Sequence, residues 1–175
     1  FISSLGLKVD AHHLAEMTSR GETPIMLATT KEVILYVGVS DTLKEESVNV
    51  VKDLHKLGIK VVMLTGDHPE TAAYIGQLVG IDKVIAGVLP AGKASEITKL
   101  QKLGYCVAMV GDGVNDAPSL ATADVGIAMG TGTDVAIESA GITLLGGNLS
   151  RLPQAIKLSR LTFRVIKQNL FWAFA

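Results

Sequence analysis

A regular alternation of short apolar runs with longer mixed segments starts at Val33 and continues through most of the chain. The apolar runs have the length of buried strands, and the segments between them have the apolar spacing of helices. Strands that alternate with helices are joined by right-handed crossovers, which produce a parallel sheet covered by helices on both faces. The sequence therefore predicts an α/β fold with a three-layer parallel sheet.

The predicted strands cover residues 33–38, 60–64, 84–88, 105–110, 124–129 and 142–145. The predicted helices cover residues 43–57, 69–79, 92–103, 134–139 and a long segment from residue 152, with a short helix starting at Ala117. Residues 1–30 contain only a helix candidate at 11–17 and a strand candidate at 24–28, which is too little for a separate core. We therefore predict a remnant of another domain at 1–30, a core domain at 31–150 and a tail at 151–175.

Polar residues follow the predicted strand at 105–110, where the chain reads Gly-Asp-Gly-Val-Asn-Asp from Gly111 to Asp116. Side chains just past the carboxyl ends of parallel strands face the crevice in which open α/β sheets bind ligands. Carboxylates are hard oxygen ligands that suit a magnesium ion, and glycines let the backbone approach phosphate closely. The stretch predicts a Mg²⁺ and phosphate site in which Asp112 and Asp116 are the metal ligands.

The two carboxylates of this site are also expected to act on each other. If Asp112 and Asp116 face one metal ion, their like charges repel when the metal is absent. We therefore expect that changing either residue to Asn leaves the thermal stability of the metal-free chain unchanged or slightly higher. The same change should remove the stabilisation that Mg²⁺ provides by binding the folded state.

Two further strand ends carry groups that suit an anion. Thr65-Gly66-Asp67 follows one predicted strand, and Pro69 is well placed for the first position of the next helix, whose free N–H groups attract negative charge. Lys93 follows another predicted strand and offers one cation near the same edge of the sheet. Each pattern is common by itself. Together with the two carboxylates they indicate one site that handles phosphate.

These strand ends resemble the motifs of a known family. Thr65-Gly66-Asp67, Pro90 with Lys93, and Gly111–Pro118 resemble the second, third and fourth motifs of the haloacid dehalogenase superfamily, in the form that P-type ATPases use. The segments 124–138 and 164–170 resemble the heavy-metal-transporting branch, most closely its copper(I) exporters. The resemblance covers residues 21–175. It implies a haloacid-dehalogenase-like Rossmannoid phosphorylation domain, preceded by the end of a nucleotide-binding domain.

The resemblance implies an enzyme part: an ATP-driven heavy-metal exporter that forms an aspartyl-phosphate, with ATP and Mg²⁺ as cofactors. Thr65 would hydrogen-bond the transferred phosphoryl group, and Lys93 would neutralise its developing charge. Asp67 would lie at the nucleotide-facing edge, and Gly66 would belong to the same nucleotide-binding loop. These residues are the implied contacts to the nucleotide and its phosphates.

The resemblance also divides the metal site among three residues. Asp112 would hold Mg²⁺, and Asp116 would complete the metal ligands. Asn115 would take part in catalysis through the metal and phosphate surroundings. This agrees with the site that the Gly-Asp-Gly stretch predicts from its own chemistry.

The nucleophile of the superfamily is missing from the sequence. It is the Asp of an Asp-Lys-Thr-Gly-Thr motif, which does not occur here and is expected upstream, so the isolated chain is expected to be inactive. Asp41 could serve as nucleophile in a stand-alone phosphatase, but Leu43, two residues on, can neither donate a proton nor bind phosphate. We prefer Asp41 as a residue of the crossing from the nucleotide domain, with a part in positioning ATP. A non-catalytic binding module that keeps the fold is the third alternative.

Composition and the tail set the remaining expectations. The 16 basic and 17 acidic residues give no reason to expect nucleic-acid binding. Cys106 lies in a predicted apolar strand, which favours an inert core thiol in a reducing compartment. Residues 151–175 contain no acid, and four of their cations, Lys157, Arg160, Arg164 and Lys167, share one helical face before an apolar end.

Such a tail is typical of a truncated transmembrane helix that the chain enters from the cytoplasmic side. An amphipathic helix packed on its own domain explains residues 152–163 equally well, but it does not explain the apolar end at 171–175. By the resemblance, the partners would be the nucleotide-binding, actuator and transmembrane domains of the same ATPase and the heavy-metal cation that it transports.

Overall fold

The computed structural model describes residues 6–40, 43–130 and 134–174. Asp41, the candidate for positioning ATP, lies outside the described residues. The chain forms two compact units, which are described separately. The first unit consists of Phe1–Lys44 and Val61–Val88, and the second consists of Glu45–Lys60 and Leu89–Ala175.

Seven helices and seven strands follow one another along the described residues. The helices are α1 (Ala11–Ser19), α2 (Glu46–Lys56), α3 (Pro69–Val79), α4 (Pro90–Lys102), α5 (Ala117–Thr122), α6 (Asp134–Glu138) and α7 (Arg151–Phe174). The strands are β1 (Thr23–Ala28), β2 (Val33–Val39), β3 (Val62–Leu64), β4 (Lys83–Ile85), β5 (Ala108–Gly111), β6 (Val125–Met129) and β7 (Ile142–Leu144). Short 3-10 turns at Val114–Asp116 and Leu145–Gly147 follow β5 and β7.

The predicted α/β fold class is confirmed. In the first unit β3 pairs in parallel with β4, and in the second unit β5, β6 and β7 form a parallel sheet with β6 in the centre. The central position of β6 explains why Gly126–Met129 are all buried, as expected for a parallel strand covered on both faces. The carboxyl ends of β5, β6 and β7 therefore lie at one edge of this sheet, and the Gly-Asp-Gly stretch begins at the end of β5.

The prediction of a parallel strand at 33–38 is wrong. β2 pairs antiparallel with β1, from Thr23 opposite Val39 to Ala28 opposite Val33. The connection between them is too short for the crossover that parallel strands need, so only a hairpin is possible. Thr29 closes its turn: its N–H donates to the carbonyl of Glu32 at 2.8 Å, and its hydroxyl oxygen accepts the N–H of Glu32 at 3.2 Å.

The core expectation for Cys106 is also wrong. The Cys106 thiol is exposed. Strand β5 begins at Ala108, two residues after Cys106, so the cysteine is not part of the strand. Apolar neighbours made residues 105–107 look like part of the strand. The first pairing of β5 joins Ala108 to Val125, so Tyr105 and Cys106 lie before the paired residues.

An aspartate fixes the start of the β5–β6 pair. The N–H of Val107 donates to Asp124 Oδ2 at 2.7 Å, and the N–H of Val125 donates back to the carbonyl of Val107 at 3.2 Å. The first unit repeats the arrangement, because the N–H of Val61 donates to Asp82 Oδ2 at 2.6 Å. The hydrogen bond from Val107, and after it the one from the Gln101 side chain, lowers the pKa of Asp124 below its ordinary value of 3.8.

This lowered pKa predicts that Asp124 contributes to stability near neutral pH and that the contribution is lost in acid. A depressed folded-state pKa adds stability above the unfolded value, and that stability is lost as the pH falls through the folded pKa. We expect Asp124→Asn to flatten the acid side of the stability profile below about pH 4. Urea midpoints measured across that range, for the parent chain and the variant, check this. An unchanged acid slope would contradict it.

Ser119 in α5 is fully buried, and its hydroxyl oxygen has no hydrogen-bond partner among the described residues. A buried hydroxyl without a partner loses its hydration and gains nothing in return. We expect Ser119→Ala to raise the free energy of unfolding by about 1 kcal/mol. Chemical denaturation measures this change, and a matched Thr122→Ala variant should not share it, because the Thr122 hydroxyl donates to the carbonyl of Pro118 at 2.6 Å.

The long final helix α7 contacts its own unit near its beginning. Leu152 and Pro153 are buried, and the Arg160 guanidinium donates through Nη1 to the carbonyl of Leu57, at the carboxyl end of α2, at 2.9 Å. Lys157 also acts on α2: after Lys56, which bonds Asp53 directly, it helps to hold the pKa of Asp53 below its ordinary value. The start of α7 therefore packs on its own unit. This agrees with the alternative of an amphipathic helix packed on its own domain, which was given for residues 152–163.

The rest of α7 is exposed, including Phe163, Phe171, Trp172 and Phe174. Lys167 lies over the Phe163 ring at 4.7 Å from its centroid. Among the described residues, no helix is both long enough and apolar enough to cross a membrane.

Candidate active site

Lys93 and Asp116 form the centre of the candidate site in the second unit. Lys93 is the fourth residue of α4, which Pro90 begins, and Asp116 ends the 3-10 turn after β5. Lys93 Nζ donates to Asp116 Oδ1 at 2.7 Å, and the two side chains are only 18% and 12% exposed. The two charges compensate each other in a largely desolvated place, so their geometry is fixed before any ligand arrives.

Gly111, the last residue of β5, makes room for Asp116. A Cβ atom at position 111 would lie 2.7 Å from the Asp116 Cβ and 2.9 Å from its Oδ2. Only glycine allows this approach. The N–H of Asp116 donates to the carbonyl of Gly113 at 3.0 Å, which closes the turn. The spacing Gly-Asp-Gly therefore positions Asp116 against the strand end as well as bending the chain.

Asp112 and Asn115 lie on the open side of the same turn. Both are exposed, and the Asp112 side chain has no hydrogen-bond or ion-pair partner within residues 6–40, 43–130 and 134–174. The same described residues contain no cluster of three or more His, Cys, Asp or Glu side chains that could hold a metal ion by themselves. Mg²⁺ usually takes one or two carboxylates together with water and phosphate oxygens. Asp112, Asn115 and Asp116 together offer two carboxylates and one amide, which fits this preference of Mg²⁺.

The structure changes the expected balance between the two carboxylates. Asp116 is already neutralised by Lys93, so its charge is not free to repel Asp112 as the sequence suggested. The expectation of unchanged stability therefore applies to Asp112→Asn alone. Removing the Asp116 charge would leave Lys93 without its partner in a place that is largely shielded from water.

Thr65 and Asp67 form a second group, in the loop that follows β3 in the first unit. The Thr65 hydroxyl donates to Asp67 Oδ2 at 2.6 Å, and the Asp67 N–H donates to Thr65 Oγ1 at 3.1 Å. Thr65 is partly exposed, and Gly66 and Asp67 are exposed. His68 then precedes Pro69, the first residue of α3, as the sequence predicted.

The loop that follows β4 holds this group in place. The N–H of Val88 donates to the carbonyl of Thr65, and the N–H of Gly87 donates to the carbonyl of Asp67, both at 3.0 Å. The N–H of Thr65 itself donates to the carbonyl of Ile85 at 3.0 Å. The backbone of the Thr-Gly-Asp loop is thus fixed, while Gly66 and Asp67 remain exposed.

The predicted site residues therefore form two sets. The structure brings Lys93 to Asp116 and Thr65 to Asp67, and the two sets belong to different units. Neither pairing was predicted. The first joins positions far apart in sequence, and the second depends on a side-chain rotamer, so neither leaves a periodic signal.

A family model described as haloacid dehalogenase-like hydrolase matches residues 7–124. The chain belongs to the haloacid dehalogenase-like hydrolase family. This is the family whose second, third and fourth motifs the site residues resemble in sequence. The matched residues 7–124 include both sets of site residues, Thr65 with Asp67 and Lys93 with Asp116.

Relatives within this family are also similar in sequence. A copper-exporting P-type ATPase of Staphylococcus aureus strain bovine RF122 / ET3-1 is 56% identical over 154 residues, which is 88% of this chain and 19% of that protein. A copper-exporting P-type ATPase of Staphylococcus aureus strain MRSA252 is 55% identical, again over 88% of this chain and 19% of that protein. The chain thus spans about a fifth of the length of the curated relatives that it matches.

Solved structures of P-type ATPases resemble the fold. A zinc-transporting PIB-type ATPase in the E2.Pi state matches 93% of this chain and 27% of its own chain, with a TM-score of 0.79 and 40% identity. The catalytic domain of the CPx-ATPase CopB-B matches 71% of this chain and 48% of its own, with a TM-score of 0.59 and 32% identity. The chain is therefore similar to P-type ATPases in both sequence and fold.

Proposed function

We propose that the chain is the phosphorylation-domain part of an ATP-driven heavy-metal exporter, with copper as the transported metal. The observation that carries this proposal is the 56% identity, over 88% of the chain, with a copper-exporting P-type ATPase. The 40% identity with a zinc-transporting ATPase is lower, which favours copper over zinc. Export itself belongs to a longer parent protein, because the chain spans only 19% of the relative.

In the parent protein, the described residues would handle the phosphoryl group of ATP. The Lys93 ammonium would offset the charge that develops during transfer, and its bond to Asp116 at 2.7 Å supports a fixed orientation for that task. Thr65 would donate its hydroxyl to a phosphoryl oxygen, with Gly66 and Asp67 in the same nucleotide loop.

Asp112 and Asp116 would hold Mg²⁺, and Asn115 would complete the surroundings of metal and phosphate. When bound, Mg²⁺ supplies positive charge that neutralises phosphate oxygens. The exposed Asp112 supports this assignment because its carboxylate is open to a ligand, whereas Asp116 shares its charge with Lys93.

The other parts of the parent protein would complete the enzyme. Its nucleophilic Asp would lie in an Asp-Lys-Thr-Gly-Thr motif outside this sequence, and Asp41 would help to position ATP. Residues 1–30 would end the nucleotide-binding domain, 31–150 would form the core, and 151–175 would lead into a membrane helix. The nucleotide-binding, actuator and transmembrane domains would be the partners, with this domain on the cytoplasmic side of the membrane.

Binding of Mg²⁺ tests the metal assignment. We expect millimolar Mg²⁺ to raise the melting temperature of the chain, because a ligand that binds only the folded state stabilises it. Asp112→Asn should melt like the parent chain in EDTA and lose the gain from Mg²⁺. Glu45→Gln, which removes another exposed carboxylate at the start of α2, is the control that keeps the gain. Melting of Asp112→Asn far below the parent chain in EDTA would identify a structural cap instead.

Phosphorylation and transport test the enzyme assignment. Incubated with labelled ATP and Mg²⁺, the isolated chain should acquire no acid-stable, hydroxylamine-sensitive label, whereas the complete parent ATPase should. Label on the isolated chain would refute the assignment of the nucleophile to another segment. In vesicles, ATP hydrolysis by the parent should respond to Cu(I), and a response to Zn²⁺ alone would refute copper as the metal.

A further inference from the structure

The only proton of the Thr65 hydroxyl is already used inside its own loop. It is directed at Asp67 Oδ2, with 2.6 Å between the oxygens. This is the length of a strong hydrogen bond from a hydroxyl to a carboxylate. The hydroxyl oxygen also accepts the Asp67 N–H at 3.1 Å, so both of its functions are served by one residue.

A phosphoryl group would need the same proton. Its oxygens are acceptors and carry negative charge near neutral pH, so Thr65 can bind them only by donating its hydroxyl. The Asp67 carboxylate and the phosphoryl group therefore compete for one donor. Because both are anions, they also repel each other when they approach it together.

The backbone cannot resolve this competition. The carbonyls of Thr65 and Asp67 accept N–H groups from the loop after β4 at 3.0 Å. The Thr65 N–H donates to the carbonyl of Ile85. The exchange must therefore occur by rotation of side chains. The exposed Asp67 side chain can turn into water at little cost in hydration, whereas the partly exposed Thr65 side chain stays at the strand end.

We propose that Asp67 is a positioning residue that holds the Thr65 hydroxyl while the site lacks phosphate and gives it up when a phosphoryl group arrives. This inference rests on the proposed function, because it takes a phosphoryl group as the ligand of Thr65. Asp67 presets the hydroxyl for donation and at the same time weakens the binding of free inorganic phosphate. It thereby keeps the loop unoccupied until a phosphoryl group bound by further contacts displaces it.

Inorganic phosphate, added with Mg²⁺ to the isotope-labelled chain, is the probe. Amide NMR signals of the Thr-Gly-Asp loop report binding, and scalar couplings report the Thr65 side-chain rotamer. We expect Asp67→Asn to bind phosphate about fivefold more tightly than the parent chain, since a charged competitor becomes a neutral one. Asp67→Ala should bind at least as tightly and should also release the Thr65 rotamer before phosphate is added.

Glu70→Gln is the matched control. It removes the same charge from an exposed carboxylate in the first turn of α3, three residues further on, without removing the bond to Thr65. A purely electrostatic effect of Asp67 would appear in Glu70→Gln as well and would weaken with added salt. The proposal requires an effect that is specific to Asp67 and persists in salt.

The outcomes separate this inference from the proposed function. If Thr65→Val leaves phosphate binding unchanged, Thr65 is not the phosphate ligand, and the proposed role of the loop fails. If Thr65→Val abolishes binding but neither Asp67 variant tightens it, only the inference about Asp67 is overturned. An absence of loop shifts at the highest phosphate concentration, in the parent chain and in both Asp67 variants, would overturn the proposed phosphate role of the loop and the inference about Asp67 with it.

Discussion

The Gly126→Ala variant is expected to lose about 3 kcal/mol of unfolding free energy, the upper end of the usual cost of overpacking. Gly126 is buried in the central strand β6, and a Cβ atom there would lie 2.5 Å from the carbonyl oxygen of Leu120 and 3.1 Å from its carbonyl carbon. These neighbours are backbone atoms, so no side-chain rotation can relieve the clash. α5 would have to move away from β6, and it carries the turn that ends at Asp116.

Chemical denaturation of the purified variant measures the loss. Gly141→Ala is the matched control, because among the residues that the structure describes a Cβ atom at Gly141 meets only the carbonyl oxygen of Gly126, at an ordinary 3.9 Å. That variant should stay within about 0.5 kcal/mol of the parent chain. Equal stability of the two variants would show that β6 and α5 are not packed as described.

The second large effect is expected for Lys93→Met, which should lower the free energy of unfolding by about 2 kcal/mol. Methionine keeps most of the volume of the lysine stem but leaves Asp116, whose side chain is 12% exposed, without its cation. Removing one partner of a desolvated pair costs more than the pair contributes, because the remaining charge stays shielded from water. The partial exposure of both groups keeps the loss below that of a fully buried pair.

Lys99→Met provides the comparison on the same helix. Lys99 pairs with Glu96 one turn away, but its side chain is 66% exposed, so its loss should cost less than about 0.5 kcal/mol. A combined Lys93→Met and Asp116→Leu variant should recover part of the stability, because no charge is then left unpaired. Similar values for Lys93→Met and Lys99→Met would mean that the Lys93 pair is solvated.

The sequence was sufficient where local signals and long-range packing agree. Pro69–Val79 appears as predicted, because a proline at the start and Gly80 in the left-handed conformation at the end mark both boundaries. The position of the candidate site could also be predicted, since polar residues after β5 must lie at the carboxyl edge of the parallel sheet.

The failures arise where the partner of a segment decides its structure. The apolar composition of β2 fits a parallel or an antiparallel strand, and only the short turn at Thr29 selects the hairpin. Cys106 has the neighbours of a buried strand, but pairing with β6 starts at Ala108. The bond between Lys93 and Asp116 could not be predicted either, because it is a tertiary contact that no local pattern encodes, whereas the role of Lys93 at the phosphoryl group stays a prediction.

The hydrogen bond from Arg160 to the carbonyl of Leu57 holds α7 near its middle, and the helix beyond Arg160 is exposed. The helix continues from Arg160 to Phe174 in one uninterrupted run, a length of about 21 Å at the usual rise per residue. If α7 tilted by about 10° around the contact at the carboxyl end of α2, Phe174 would move by about 4 Å. A small tilt at the carboxyl end of α2 would thus become a displacement of about three-quarters of one helical pitch at the far end of α7.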